Sequence, residues 1–392
     1  MIHIKKSNFL YGCLLIILLF IIIEPEMFVN SSFHKLIKYF QDVILLIVTI
    51  LYLKVKKNIF SVLVILLNIW MLVTTWTNEG SFSNVIYSII PTVTLVIVLD
   101  LFRRLNSRIT LFCVTLYFNA IVYLNSVLCI FNPEGVRQVI SATTQMERGI
   151  NFLGVANQTG PFLVIAIVTT GMYCYNYGKN KIWFIGAFVH GIISFIWLTS
   201  TTTLLGIVGY AALLIILYKK KYNFIKLVPS IYLGGIVLVN VGVVIFKIQE
   251  KMQYFIYIIL KKDVTLSTRT DIWEIAIEKI KQAFFCGYGG IEAGRYIQIG
   301  TWKFSAHNLL LELFLLGGAI AVAILLILIW ISIRKMYCCK DKKVQYIIFP
   351  SIFIIYFMQV TEFYPYLLNI VLLYIIYHCN DFFMEGQDNA IT

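Results

Sequence analysis

Three stretches of this chain set a chemically useful side chain at the edge of an apolar run. They are Arg269 in STRTDIW, His307 with Asn308 in FSAHNLLLELFLLGG, and Asn157 in NQTGP. A guanidinium stays charged and can hold two phosphate oxygens at once through its planar fork. At the start of a helix, backbone N–H groups add to such an anion site. A histidine titrates near neutrality, so a neutral His307 can take a proton from a hydroxyl. Asn308 can orient the ring or a bound hydroxyl, or cap the helix that follows. Glu312 lies about one turn further on, where a carboxylate is costly in lipid and should face a polar cavity. It is five residues from His307, so the two share no helix face and form no dyad. Each position also has a plainer reading: Arg269 as a surface arginine paired with Asp271 or Glu274, His307 bonded to water at headgroup level, and the asparagines as ordinary caps.

Other polar groups sit at the ends of apolar runs. Gln158 follows Asn157, and LTSTTTL (198–204) makes a tight turn of hydroxyls; both suit the lining of an external cavity or simple capping. EPE (24–26) is an acidic pair whose metal-binding signal is weak. Gly287-Tyr288-Gly289-Gly290 lacks the Lys-Ser/Thr that a nucleotide loop needs, so it reads as a sharp return of the chain. The eight cysteines show no CxxC spacing, which supports neither a zinc site nor a disulfide framework.

The elements that must position these groups are helices in a membrane. The 392 residues are 60% hydrophobic and only 13% charged, with mean hydropathy +0.86. A soluble domain is nearer a quarter charged. The apolar runs predict an all-α polytopic membrane protein with spans near 9–23, 37–53, 59–76, 83–101, 109–131, 157–177, 182–199, 203–218, 227–246, 307–333, 345–361 and 364–380. The first reads as an uncleaved span, since no small-residue cleavage site follows it. Net charge +13 would suggest nucleic acid for a soluble protein. Here the basic residues collect in alternate loops: KVKK (54–57), RRLNSR (103–108), KNK (179–181), KKKYNFIK (219–226) and RKMYCCKDKK (334–343). Twelve spans put all of these on the side of the basic N-terminus, which predicts cytoplasmic termini, a plasma or inner membrane location, and no nucleic-acid partner.

The chain then reads as one polytopic domain, 1–392, with a large external loop at 247–306. Within it, Ile272, Trp273, Ala276, Ile280 and Phe284 recur at helical spacing in TDIWEIAIEKIKQAFF, with charged residues opposite. Thr270 or Asp271 can cap this amphipathic helix, and Asp271 with Glu274 resembles a capping box. KIQEKMQYFIYIIL (247–260) predicts a second, interfacial helix.

RTDIWEIAIEKIKQAFFCGYGG, SAHNLLLELFLLGG and ERGINFLGVANQTG together resemble the O-antigen ligase and polysaccharide polymerase superfamily, the Wzy/WaaL type. The likeness lies in an arginine before a tryptophan-bearing helix and glycine turn, then His-Asn-x-x-Leu with a glycine ten residues after the histidine, here Gly317. Arg148, Gly149 and Asn157 carry it in the third stretch. The resemblance covers residues 145–333 by motif and implies glycan transfer from a polyprenyl-diphosphate carrier on the outer face of the membrane. It implies that Arg269 holds the diphosphate and that His307 activates the acceptor hydroxyl, with Asn308, Arg295, Arg148, Asn157 and Glu312 as substrate-binding candidates. No metal, nucleotide sugar or other cofactor is implied. The family's Ser-Arg turn reads Thr199-Ser200-Thr201-Thr202 here, so a second diphosphate contact must come from Arg295, Arg148 or Lys303.

The expected activity is a polymerase that joins undecaprenyl-diphosphate-linked repeat units of capsule, exopolysaccharide or O-antigen. Expected partners are the lipid-linked donor and acceptor, the bilayer, and a chain-length regulator and flippase. A ligase passing finished glycan to a lipid, wall or protein acceptor shares the same donor chemistry. A polysaccharide or solute transporter is the alternative of another class. It would break helices near the midplane and place charge there, whereas these charges sit at the interfaces and in one loop. A membrane scaffold is a more distant alternative.

Overall fold

The computed structural model describes residues 6–29, 31–140, 147–178, 180–198, 200–220, 229–248, 269–291, 295–339 and 341–384. Helices dominate: α1 (Lys6–Ile22), α2 (Ser32–Leu53), α3 (Ile59–Thr77), α4 (Phe82–Leu105), α5 (Ser107–Phe131), α6 (Gly160–Asn176), α7 (Ile182–Leu198), α8 (Thr201–Lys220), α9 (Pro229–Val244), α10 (Arg269–Gln282), α11 (Leu309–Tyr337), α12 (Lys342–Met358), α13 (Tyr366–Tyr377) and α14 (Asp381–Met384). Two antiparallel hairpins punctuate them, β1 (Arg137–Ile140) with β2 (Glu147–Ile150) and β3 (Ile297–Ile299) with β4 (Trp302–Phe304).

A helix occupies each of the twelve apolar runs. Six of them, α2, α3, α4, α5, α8 and α11, are long and apolar enough to cross a membrane by themselves. α1, α7, α9 and α13 are shorter apolar helices. Side-chain caps explain many boundaries: Ser31 accepts from His34 N, Asn58 from Ser61 N, Asn106 from Ile109 N, and Asp341 from Lys343 N.

Burial divides the helices into two kinds. α6 is buried from Gly160 to Met172, and α13 from Leu368 to Ile376. A helix apolar all round belongs in the middle of a bundle. α2, by contrast, buries only Ile37, Gln41, Val48 and Tyr52 and leaves Tyr39, Phe40, Leu46 and Ile50 exposed. Such outward apolar faces fit lipid rather than water. The chain is a multi-pass membrane protein.

α10 buries Ile272, Trp273, Ala276 and Ile280 as their spacing predicts. They form a small separate core with Val244 of α9, Tyr296, Ile297, Phe304, Ala306 and Leu315 of α11. Two details differ from the sequence reading. The chain is already helical at Arg269, where the described residues resume, so Thr270 and Asp271 lie inside the helix, where an acid near its start favours the positive helix end. Phe284 lies beyond the helix and is exposed, against Phe285 and Phe314. Most of the helix expected over 247–260 falls on residues 249–268, outside the described residues.

The glycine turn after α10 docks into a break in α11. Gly318 has φ 66° and ψ −166°, a conformation essentially reserved for glycine. The break frees carbonyls that lipid could not satisfy. Tyr288 N donates to Leu315 O (2.7 Å), Gly289 N to Leu316 O (2.9 Å), and Trp70 Nε1 to Gly317 O (2.7 Å). In return Ala319 N donates to Phe284 O (2.7 Å). A side chain at Gly287 would meet the backbone of Leu315, Gly317 and Gly318 within 2.8 Å, which is why the turn needs glycine there.

Candidate functional site

Asn308 caps α11, accepting from Leu311 N at 3.1 Å, and is wholly buried. Its amide donates to Asn240 of α9 (2.9 Å) and to Val360 O (3.0 Å), while Leu309 N donates to Gln359 O (3.2 Å). These bonds press the segment before α11 against the loop that joins α12 to α13. His307, half-buried, takes a left-handed φ of 49° at this bend. A positive φ is uncommon for a non-glycine residue and marks a place where the surroundings impose it. Glu312 is part of what imposes it. The carboxylate reaches back to accept from Ala306 N at 2.7 Å, so it braces the backbone just before His307.

Arg269 reaches the same place from α10. One turn along that helix, Trp273 is fully buried and donates its indole N–H to Ala306 O at 3.0 Å. The start of α10 is thereby held beside the His307 bend. The guanidinium of Arg269 makes an ion pair with Glu362, in the α12–α13 loop that also receives Asn308. Glu274 pairs instead with Lys247, so the plain reading of Arg269 as a partner of Glu274 does not hold.

Glu362 gathers a second set of groups. Its Oε1 accepts from Asn157 Nδ2 at 2.7 Å, and Asn157 Oδ1 accepts from Ser200 Oγ at 2.9 Å. Ser200 also accepts from Thr203 N at 3.3 Å, capping α8. Five parts of the chain therefore converge: the turn before α6, the α7–α8 turn, the start of α10, the start of α11 and the α12–α13 loop. Tyr364 is buried beside them, its phenol held in the neutral form first by burial and then by the Glu362 charge. Burial, with the Glu312 carboxylate second, likewise keeps the Tyr296 hydroxyl protonated, and it donates to Gly289 O at 2.8 Å.

The network brings together Arg269, Asn157 and Asn308, with His307 and Glu312 alongside. Arg295 and Lys303 are exposed near the β3–β4 hairpin. Arg148 lies on β2, and its side chain is outside the described residues, as is Thr199. Glu362, the carboxylate at the centre, has no part in the sequence motifs. Its signal is faint: a lone acid in TEFYP, between two long apolar runs. Glu24 is occupied elsewhere, with His34 Nδ1 at 2.9 Å and Lys38 Nζ at 3.7 Å. Burial raises the pKa of Glu26 against the opposing charge of Arg137. Among the described residues no group of three His, Cys, Asp or Glu side chains could hold a metal ion.

Comparison with curated proteins and with solved structures finds no match. A family model does match, over a stretch that runs from within α7 into α11 and takes in Ser200, Arg269, His307, Asn308 and Glu312. Asn157 and Glu362 lie outside it. The family is Wzy_C, O-antigen ligase, and its model matches residues 186–326 of this chain, the stretch that holds the arginine and His-Asn motifs.

Proposed function

We propose that this protein is a polysaccharide polymerase of the outer membrane-face reaction, joining repeat units carried on a polyprenyl diphosphate. The observation that carries the reading is the convergence of Arg269 and the His307–Asn308 bend on one loop through Glu362 and Val360. In the reaction the acceptor sugar hydroxyl attacks the anomeric carbon of the donor glycan. An oxygen–carbon bond forms there, and the bond from that carbon to the diphosphate oxygen breaks. His307 takes the hydroxyl proton. Arg269 stabilises the charge that develops on the departing diphosphate. Glu362 orients the guanidinium, and Asn157 shares that carboxylate. Asn308 and Glu312 hold the bend that aims His307. Arg295, Arg148 and Lys303 remain the candidates for a second diphosphate contact.

In this reading all twelve apolar helices span the membrane in one polytopic domain, both termini are cytoplasmic, and residues 247–306 are external. Transport is the less favoured class. The broken span among the described residues, α11, has the freed carbonyls of Leu315, Leu316 and Gly317 taken by the chain's own Tyr288, Gly289 and Trp70. A transporter would turn such groups toward an ion or solute. The ligase reading has the family's description in its favour and differs only in the acceptor. Purified protein given lipid-diphosphate-linked repeat units alone separates the two. A ladder of lengthening lipid-linked glycans is expected. A single transfer that needs an added lipid or wall acceptor would favour the ligase, and turnover of neither would sink both.

A further inference from the structure

Much of the exposed apolar surface of this chain lies on the flanks of its long helices. Phe284 and Phe285 lie elsewhere. They are 45% and 69% exposed, just past the end of α10, in the segment proposed as external. Along α10 itself the outward groups are polar: Asp271, Glu274, Glu278, Lys281 and Gln282. Apolar exposure begins only where that helix has ended. Two bare phenylalanines gain nothing from water, and contiguous apolar surface marks a contact.

The backbone around the pair fixes what it can meet. Ala319 N donates to Phe284 O at 2.7 Å, and a Cβ on Gly318 would lie 2.2 Å from Phe285 O, so both residues rest on the break in α11. The residues that follow are held by α3. Asn78 Nδ2 donates to Gly287 O at 3.4 Å, and Gly290 N to Thr75 Oγ1 at 2.8 Å. The pair is thereby level with the last turn of α3. On that span Leu66, Ile69, Val73 and Trp76 recur at helical spacing and are all exposed, with Trp76 in the last turn. Tryptophan is enriched where hydrocarbon gives way to headgroups. On α11 the Phe314 ring centre is 5.7 Å from that of Phe284, and Ile320 is exposed just past the break. The phenylalanines continue an apolar surface made by two spans, at the level where one of them leaves the membrane. Lys279 and Lys281 stand in the last turn of α10, as basic groups do beside an apolar face that enters lipid.

We propose that Phe284 and Phe285 insert among the acyl chains of the membrane leaflet on the His307 side. The loop is then not wholly in water: α10 is pinned near its start by Trp273 on Ala306 and at its end by the bilayer. The inference rests on the packing of the glycine turn against two spans, and stands whether or not the chain transfers glycans.

Cys286, exposed beside the pair, carries the probe for the test. With Cys13→Ser and Cys338→Ser it is the accessible thiol, since the other five are buried. The full chain is labelled there in detergent with an environment-sensitive fluorophore and moved to phosphatidylcholine nanodiscs. Lipids bearing a nitroxide high on the acyl chain should quench the probe several-fold more than aqueous iodide does. A probe at Glu278→Cys, with Cys286→Ser added, should show the reverse order. Phe284→Ser with Phe285→Ser should turn the Cys286 probe toward iodide, because its apolar anchor is gone. The proposal is overturned if iodide reaches the Cys286 probe as well as it reaches the one at position 278. It is overturned too if neither quencher reaches it, as a protein partner or second copy covering the patch would require, or if the double serine variant keeps the lipid quenching.

Discussion

Arg269 at one end of the bundle and Arg103 at the other are almost equally buried, with side chains 13% and 11% exposed. Their company differs. Arg103 meets two carboxylates and a phenol, and the fully buried Asp100 beneath it also accepts from Arg104 (3.1 Å) and Tyr52 (3.1 Å). Arg269 meets one carboxylate among the described residues, and Glu362 divides itself between that arginine and Asn157. A buried ion whose partners are supplied in excess is held in one state, because removing any of them strands a charge. A guanidinium with most of its N–H groups uncommitted can still take phosphate oxygens. The first arrangement ties helix ends together, and in the proposed reaction the second leaves a cation for the diphosphate.

Substitutions at the two ends should therefore separate activity from stability. The largest effect is expected at His307. His307→Asn keeps a residue that tolerates the left-handed backbone but cannot take a proton near neutral pH. Loss of a general base should lower turnover about 100- to 10,000-fold in a lipid-linked glycan assay, with the unfolding midpoint little changed. Near-normal polymer from this variant would remove His307 as the base and leave it a positioning role.

Asp100→Ala should do the reverse. It strands Arg103, Arg104 and the Tyr52 hydroxyl, and breaking a buried pair costs about 3–5 kcal/mol. Detergent-solubilised protein should show a clearly lower melting temperature, and whatever folds should keep its specific activity. A melting curve like that of wild type would erase the contrast between the two arginines.

Arg269→Lys keeps the charge but loses the fork. A charge-assisted contact of roughly 2–3 kcal/mol corresponds to about a 30- to 150-fold loss of kcat/KM. If lysine restored full activity where alanine did not, the site would need only a point charge.

The smallest effect is expected at Glu362. Glu362→Gln keeps an acceptor but loses the ionic hold, and misorientation of Arg269 should cost roughly tenfold in kcat. A rise in activity would instead mean that Glu362 competes with the diphosphate for the arginine. A fall in melting temperature as large as that of Asp100→Ala would make this pair structural too.

Which parts of this were legible in the chain follows from the range of the forces involved. The helices were, because a run of apolar residues of span length has few alternatives in lipid: the backbone must satisfy itself locally. The buried face of α10 was, because Ile272, Trp273, Ala276 and Ile280 share a face at helical spacing. Arg269 and His307 stood out as polar side chains at the edges of such patterns. What the tertiary structure decided depends on contacts between residues far apart in sequence. Glu362 meets Arg269 across 93 positions and Asn157 across 205, and no local periodicity records such a meeting. The cap of α10 was misplaced because Asp271 serves a helix start equally well from the cap or the first turn. Gly317 and Gly318 read as small residues in a span, yet the break between them exists because the turn at Gly287–Gly289 supplies donors to the carbonyls it frees. Sequence determined which segments had to be helical and where charge was out of place; packing decided which distant groups would satisfy one another, since a buried hydrogen bond is specified only by both of its partners.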